Sequence, residues 1–168
     1  MLRALTWIAC VLAGCGVGSQ QGYEPVQPIP FSHALHAGEY KIDCQYCHFG
    51  AQRSRHAGVP PANVCVNCHA QVKKGAPEIQ KLLAAVAENR PIEWTKVHRL
   101  PDFAYFDHSR HVRAGQIACQ TCHGPVEEMV RVKQVEPMTM GWCLDCNRER
   151  AAKDPLKAPS TDCAACHY

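Results

Sequence analysis

Apolar and polar positions in this chain keep a steady period over only one stretch. Residues 77–89, PEIQKLLAAVAEN, set Ile79, Leu82, Leu83 and Val86 at i, i+3, i+4 and i+7, the spacing of one helix face. Pro77 suits the first helical turn, where a missing N–H costs nothing, and Pro91 ends the pattern. The expected element is a packing helix. Elsewhere Gly and Pro are scattered, and no alternating strand pattern persists. The pattern predicts a mostly irregular chain with short α-helices.

A second apolar run lies at the start. MLRALTWIACVLAGC carries Arg3 and then apolar residues over 4–12, too short to span a bilayer and of the length of a secretory h-region. Leu12-Ala13-Gly14-Cys15 resembles a lipobox, which predicts a lipoprotein signal peptide over 1–14 and a lipidated Cys15 holding the protein to a membrane. The competing reading is an uncleaved anchor with Cys15 an ordinary apolar residue. A polar, Pro-rich segment follows, so 15–30 is expected to be a flexible tether. The expected location is the bacterial cell envelope, facing the periplasm.

Composition then changes the picture. The chain has 12 Cys in 168 residues, a large excess over ordinary usage. Apart from Cys10 and Cys15, the cysteines form C-x-x-C pairs with none left over. Four read C-x-x-C-H: Cys44/Cys47/His48, Cys65/Cys68/His69, Cys119/Cys122/His123 and Cys163/Cys166/His167. Two thiols three residues apart reach the two vinyl groups of one haem, and the next residue is held against the ring face, where its imidazole binds iron. A zinc ribbon uses C-x-x-C without needing His after each pair, and an exported chain could instead pair its thiols as disulfides. Neither explains the four placed His residues.

The remaining pair, Cys143/Cys146, is followed by Asn147, a poor ligand for haem iron. Three readings stay open: a haem attached through both sulfurs with ligands from elsewhere, a haem left five-coordinate or weakly ligated on the Asn147 side, and a disulfide. Met138 and Met140 lie just upstream as candidate thioether ligands, with apolar packing as the plain alternative. Haem c is thus expected at five sites, four on C-x-x-C-H motifs and one on Cys143/Cys146.

The chain also repeats itself. Phe31-Ser32-His33-Ala34-Leu35-His36 precedes Cys44, and Phe106-Asp107-His108-Ser109-Arg110-His111 precedes Cys119, at the same offsets. This predicts a first dihaem module over 31–97, a second over 98–152, and a haem-binding tail over 153–168. Four distal ligands are needed, and His33, His36, His56, His98, His108 and His111 are the candidates. Ligation by His on both sides closes the iron to substrates and suits electron transfer. With so little polypeptide, the haems are expected to form most of a compact core. The formal charge of +3 falls to +2 without Arg3, and the propionates of five haems would bring it to about −8, which argues against a nucleic-acid partner.

The repeated motif resembles the small multihaem class III cytochromes of the c3 and c7 type. FSHALHAGEYKIDCQYCH, RHAGVPPANVCVNCH, VHRLPDFAYFDHSRH and MGWCLDC resemble, more closely still, the pentahaem cytochrome subunit of bacterial alternative complex III. That resemblance implies electron transfer within a quinol-oxidising membrane complex, delivery to a soluble cytochrome or oxidase, and ligand roles for His33, His36, His98, His108 and His111. Asn147 departs from it, and so does a lipobox in place of a transmembrane helix. Two alternatives remain: a free-standing lipoprotein electron carrier, and a reductase of small oxyanions or peroxide at the Asn147 haem.

Overall fold

The structure is a computed structural model that describes residues 19–168. The expected signal peptide and Cys15 lie outside the described residues. Five short α-helices occur among the described residues: α1 (Cys44–Cys47), α2 (Ala62–His69), α3 (Pro77–Ala87), α4 (Gln120–His123) and α5 (Met140–Lys153). Irregular chain and single turns join them, and no strand is present among the described residues. Nor is any described helix long and apolar enough to cross a membrane.

The helices begin where the sequence supplies caps. Asp43 accepts a hydrogen bond from the Gln45 N–H at 2.7 Å, Thr139 from Trp142 at 3.3 Å and Asp162 from Ala164 at 2.9 Å, so orphan amides at the start of three C-x-x-C turns are satisfied. The periodic helix stops at Ala87, two residues short of the predicted end. Asn89 takes a left-handed conformation (φ 49°), Arg90 donates to the Ala85 carbonyl and Asn89 to the Val86 carbonyl. This paired closure ends a helix before any proline acts. Leu82 and Ala85 are buried on its inner face, against α2, whereas Val86 lies at the exposed edge.

Both His-x-x-His segments wind into π-helical turns, Ala34–Glu39 and Arg110–Ala114. Each closes through an i→i+5 bond, Tyr40 N–H to Leu35 O at 3.0 Å and Gly115 N–H to Arg110 O at 2.9 Å. The widened turn splays residues three apart, which on an α-helix would share a face.

The two copies of the repeat hold each other. Ala34 donates to the Met129 carbonyl at 2.9 Å, and Ser109 donates to the Ser54 carbonyl at 3.1 Å. Ala34 and Ser109 stand 75 positions apart, as do Ser54 and Met129. The bonds are therefore the same contact made in both directions, as a two-fold relation between the copies requires. Cys44 and Cys119, again 75 apart, are close electrostatic neighbours where the copies meet.

Residues 163–168 fold back onto the second copy. Tyr105 donates to the Cys166 carbonyl at 2.8 Å, and the Tyr105 and Tyr168 rings stack at 4.3 Å. Part of the segment expected to be a tether is fastened down as well. Gly22 and Gln134 are joined by a 2.7 Å bond, and the Gln27 amide both donates to and accepts from the Thr95 backbone at 2.9 Å.

Only Ala51, Leu82, Ala85 and Met129 are buried apolar side chains among the described residues. Polypeptide alone supplies almost no core. Tyr46, Phe49, Val72 and Phe103 stand exposed beside the motif histidines, apolar surface that a macrocycle would cover. The fold is the small, irregular, short-helix type that the pattern predicts.

Candidate functional site

None of the described cysteines is joined in a disulfide: Cys44, Cys47, Cys65, Cys68, Cys119, Cys122, Cys143, Cys146, Cys163 and Cys166. A structural zinc site gathers four Cys or His ligands around one point. Among the described residues no group of three or more His, Cys, Asp and Glu is so gathered.

The histidines are arranged differently, as facing pairs. His33 and His48 have ring centres 6.4 Å apart with planes within 6°. His108 and His123 repeat this in the second copy, at 6.4 Å and 3°. His36 and His69 stand 6.2 Å apart at 61°. A metal–imidazole bond is about 2 Å long, so two imidazoles on opposite sides of one iron set their ring centres about 6 Å apart. Each pair joins a distal candidate from a π turn to the His of a C-x-x-C-H motif. The residues fit haem.

The splayed turn explains why two adjacent histidines serve different motifs. His33 faces the Cys44/Cys47 motif and His36 faces the Cys65/Cys68 motif. Phe31 fixes both, edge-on to His33 at 4.8 Å and stacked on His36 at 4.3 Å; Phe106 does the same for His108 and His111 at the same two distances. The residue between Phe and His caps the turn. The Ser32 hydroxyl accepts from Leu35 N–H at 3.1 Å, and the Asp107 carboxylate accepts from Ser109 at 2.8 Å. These hydrogen bonds, chiefly the one from the Ser109 hydroxyl, hold the Asp107 carboxyl below its usual range. The supporting roles of Phe31, Phe106, Ser32 and Asp107 escape a search for ligands. Their signal in the sequence is the small polar residue repeated between Phe and His.

Nδ1 of most rings meets a backbone carbonyl: His36 at Ser32, His48 at Gly58, His69 at Val72, His108 at Arg55, His111 at Asp107 and His167 at Phe103, all within 2.6–3.0 Å. A carbonyl only accepts, so Nδ1 carries the proton and Nε2 keeps the lone pair a metal needs. Burial, helped by neighbouring imidazoles, holds His33 down to about 4 and His123 down to about 3. Both rings are therefore neutral at pH 7 and ready to ligate. His33 differs in one respect: its Nδ1 is buried without a partner.

The other candidates are placed as follows. His98 packs edge-on against His123 at 4.3 Å, with its Nε2 3.2 Å from Nδ1 of His123. It supports that ring, and burial lowers its own pKa. His56 is exposed and faces no other imidazole. No imidazole stands opposite His111 or His167. Met140 opens α5 and is 67% exposed, while Met138 precedes it in a left-handed conformation (φ 50°). Asn147 donates through Nδ2 to the Ser160 carbonyl at 2.8 Å.

The thiols place the motifs relative to one another. Burial raises Cys47, and Cys65 is its strongest electrostatic neighbour. Cys119 is raised by burial and then by Cys44. Cys122 is pushed up to about 11 by burial and then by Cys146 and Cys143, and Cys143 is raised by burial and then by Cys166. Neighbouring thiols thus link the motifs in one sequence. It runs from Cys65/Cys68 through Cys44/Cys47, Cys119/Cys122 and Cys143/Cys146 to Cys163/Cys166.

Comparison with known proteins agrees with this geometry. Residues 104–168 match the family model described as cytochrome c7 and related cytochrome c, a stretch that holds the second π turn and three C-x-x-C pairs. Over 98 residues the chain is 32% identical to the multihaem cytochrome c subunit of a menaquinone reductase from Nitratidesulfovibrio vulgaris, covering 58% of this chain and 45% of that protein. The chain therefore aligns with less than half the length of that relative. Both matches support covalently attached c-type haem and electron transfer through it, and the family match is to the c7 type.

Proposed function

We propose that this chain conducts single electrons along five covalently attached haems and makes no bonds of its own. The observation that carries this reading is the set of three imidazole pairs at 6.2–6.4 Å, each closing a site from both sides. Haem supplies the one-electron couple. The protein supplies the rest: thiols for attachment, imidazoles with a fixed tautomer, and carbonyls that strengthen those imidazoles as donors. Small reorganisation follows from ligands already in place, which suits outer-sphere transfer.

The neighbouring thiols support a linear order for the conducting path. Its ends are the Cys65/Cys68 and Cys163/Cys166 sites, and its middle is the Cys44–Cys119 junction between two dihaem modules. Each module contributes two sites, and the C-terminal tail contributes the last.

On this reading the protein is exported, lipidated at Cys15 and held at a membrane on its periplasmic side. It serves as the cytochrome subunit of a quinone-linked complex. The resemblance to the alternative complex III subunit favours quinol oxidation with delivery to a soluble cytochrome or oxidase, and the menaquinone reductase relative is also linked to a quinone. Purification from detergent extracts of the native membrane tests this. Co-elution with large membrane subunits, and reduction of the haems by a quinol, are expected. A protein that elutes alone and is not reduced by quinol would instead be a free-standing carrier, as the lipobox in place of a membrane helix would suit.

A further inference from the structure

Asn147 occupies the position at which every other motif has its histidine, and it copies half of what that histidine does. His48, His69 and His167 each direct Nδ1 to a backbone carbonyl. Asn147 directs Nδ2 to the Ser160 carbonyl at 2.8 Å. The carboxamide is thus held in the pose of the near half of an imidazole ring. It has nothing at the place of Nε2, the atom that reaches a metal. Its remaining group, Oδ1, is a neutral carbonyl oxygen, a donor type that suits hard cations far better than haem iron.

The rest of the surroundings do not make up the loss. In the first copy His36 faces His69. The corresponding pair in the second copy is His111 and Asn147. His111 is prepared as its counterpart is, stacked on Phe106 at 4.3 Å and with Nδ1 on the Asp107 carbonyl at 2.8 Å. Met140 stands seven residues before Asn147 on α5, about 10 Å along the helix axis, and is 67% exposed. It cannot serve the face that Asn147 covers.

We propose that the haem on Cys143 and Cys146 is held by His111 on one side only, and that its Asn147 side is an exchangeable site for a small iron ligand. This rests on the electron-transfer reading and deepens it. With one Nδ2 proton given to the Ser160 carbonyl, Asn147 keeps Oδ1 as an acceptor, which a small neutral ligand that carries hydrogen, water at rest, can use. Carbon monoxide on the reduced protein and cyanide on the oxidised protein are the probes. The site lies fourth of five in the thiol sequence, so a ligand bound there changes the potential between the module junction and the C-terminal end.

The test uses the full holoprotein, with haem number read from its intact mass. Wild type is expected to carry five haems, show one high-spin centre, and bind one carbon monoxide per chain when reduced. Asn147→His restores the missing ring and is expected to keep five haems, lose the high-spin signal and lose carbon monoxide binding. Met140→Leu serves as the control and is expected to leave the haem number, the high-spin signal and carbon monoxide binding unchanged. Five haems that are all low-spin and inert to carbon monoxide would overturn the proposal. So would unchanged binding in Asn147→His. Four haems with a Cys143–Cys146 disulfide would also overturn it, while leaving conduction by the other four intact.

Discussion

A ring nitrogen that faces a backbone carbonyl must donate to it, and this fixes most of the chemistry at the scale of single residues. The C-x-x-C spacing made the ten thiols legible in the sequence, and the His directly after four of the pairs did the same for the motif histidines, because three-residue spacing is itself the geometric requirement. Which distal histidine faces which motif was not legible. His33 and His36 have equal claims by sequence, and only the splayed turn separates them. His36→Ala should therefore turn the Cys65/Cys68 haem high-spin and leave the Cys44/Cys47 haem low-spin in electron paramagnetic resonance; the opposite assignment would reverse our pairing. The buried histidines also set a pH dependence. Acid must protonate His33 and His123 against both their burial, which lowers each from 6.5, and the iron they would hold at Nε2. The low-spin spectrum of the holoprotein should therefore persist well below pH 6.5, and its loss near pH 6.5 would contradict this.

At the scale of elements, helix α3 was readable because its burial follows the helical period, although its end was set by Asn89 in a left-handed turn rather than by Pro91. The π turns were not readable. Their i→i+5 closure leaves no period, and only the caps Ser32 and Asp107 mark them. Each is clamped by the other copy. The backbone at Gly38 passes so close to the Glu127 carbonyl that a methyl group there would collide with it. Gly38→Ala should destabilise the holoprotein by about 1–3 kcal/mol in denaturant titration and perturb both haems that the first turn serves. The Thr139 cap starts the helix carrying Cys143 and Cys146, and Thr139→Ala should cost about 1 kcal/mol. A helix content and stability unchanged by either substitution would remove the clamp and the cap from the account.

At the scale of the whole molecule, the repeat in the sequence predicted two related units but not their relation. The Cys44–Cys119 contact joins residues 75 positions apart and the exchanged backbone bonds join residues 95 and 55 apart, and no local pattern encodes contacts that long. Nor does the sequence show that His98 supports the His123 ring. What the chain did announce was its shortage of core, which the structure bears out in four buried apolar side chains among the described residues. Replacing Cys119 and Cys122 by Ser should break conduction at the centre while sparing both ends. Rapid-reaction traces should then split into two uncoupled phases, and a single undisturbed phase would rule out the linear order. All of this presupposes that porphyrin is bonded to every thiol pair, and the intact mass of the denatured holoprotein from a host that matures c-type cytochromes measures that directly. The account predicts a polypeptide heavier by five haems, with none released on denaturation. A colourless chain at the bare polypeptide mass would contradict it.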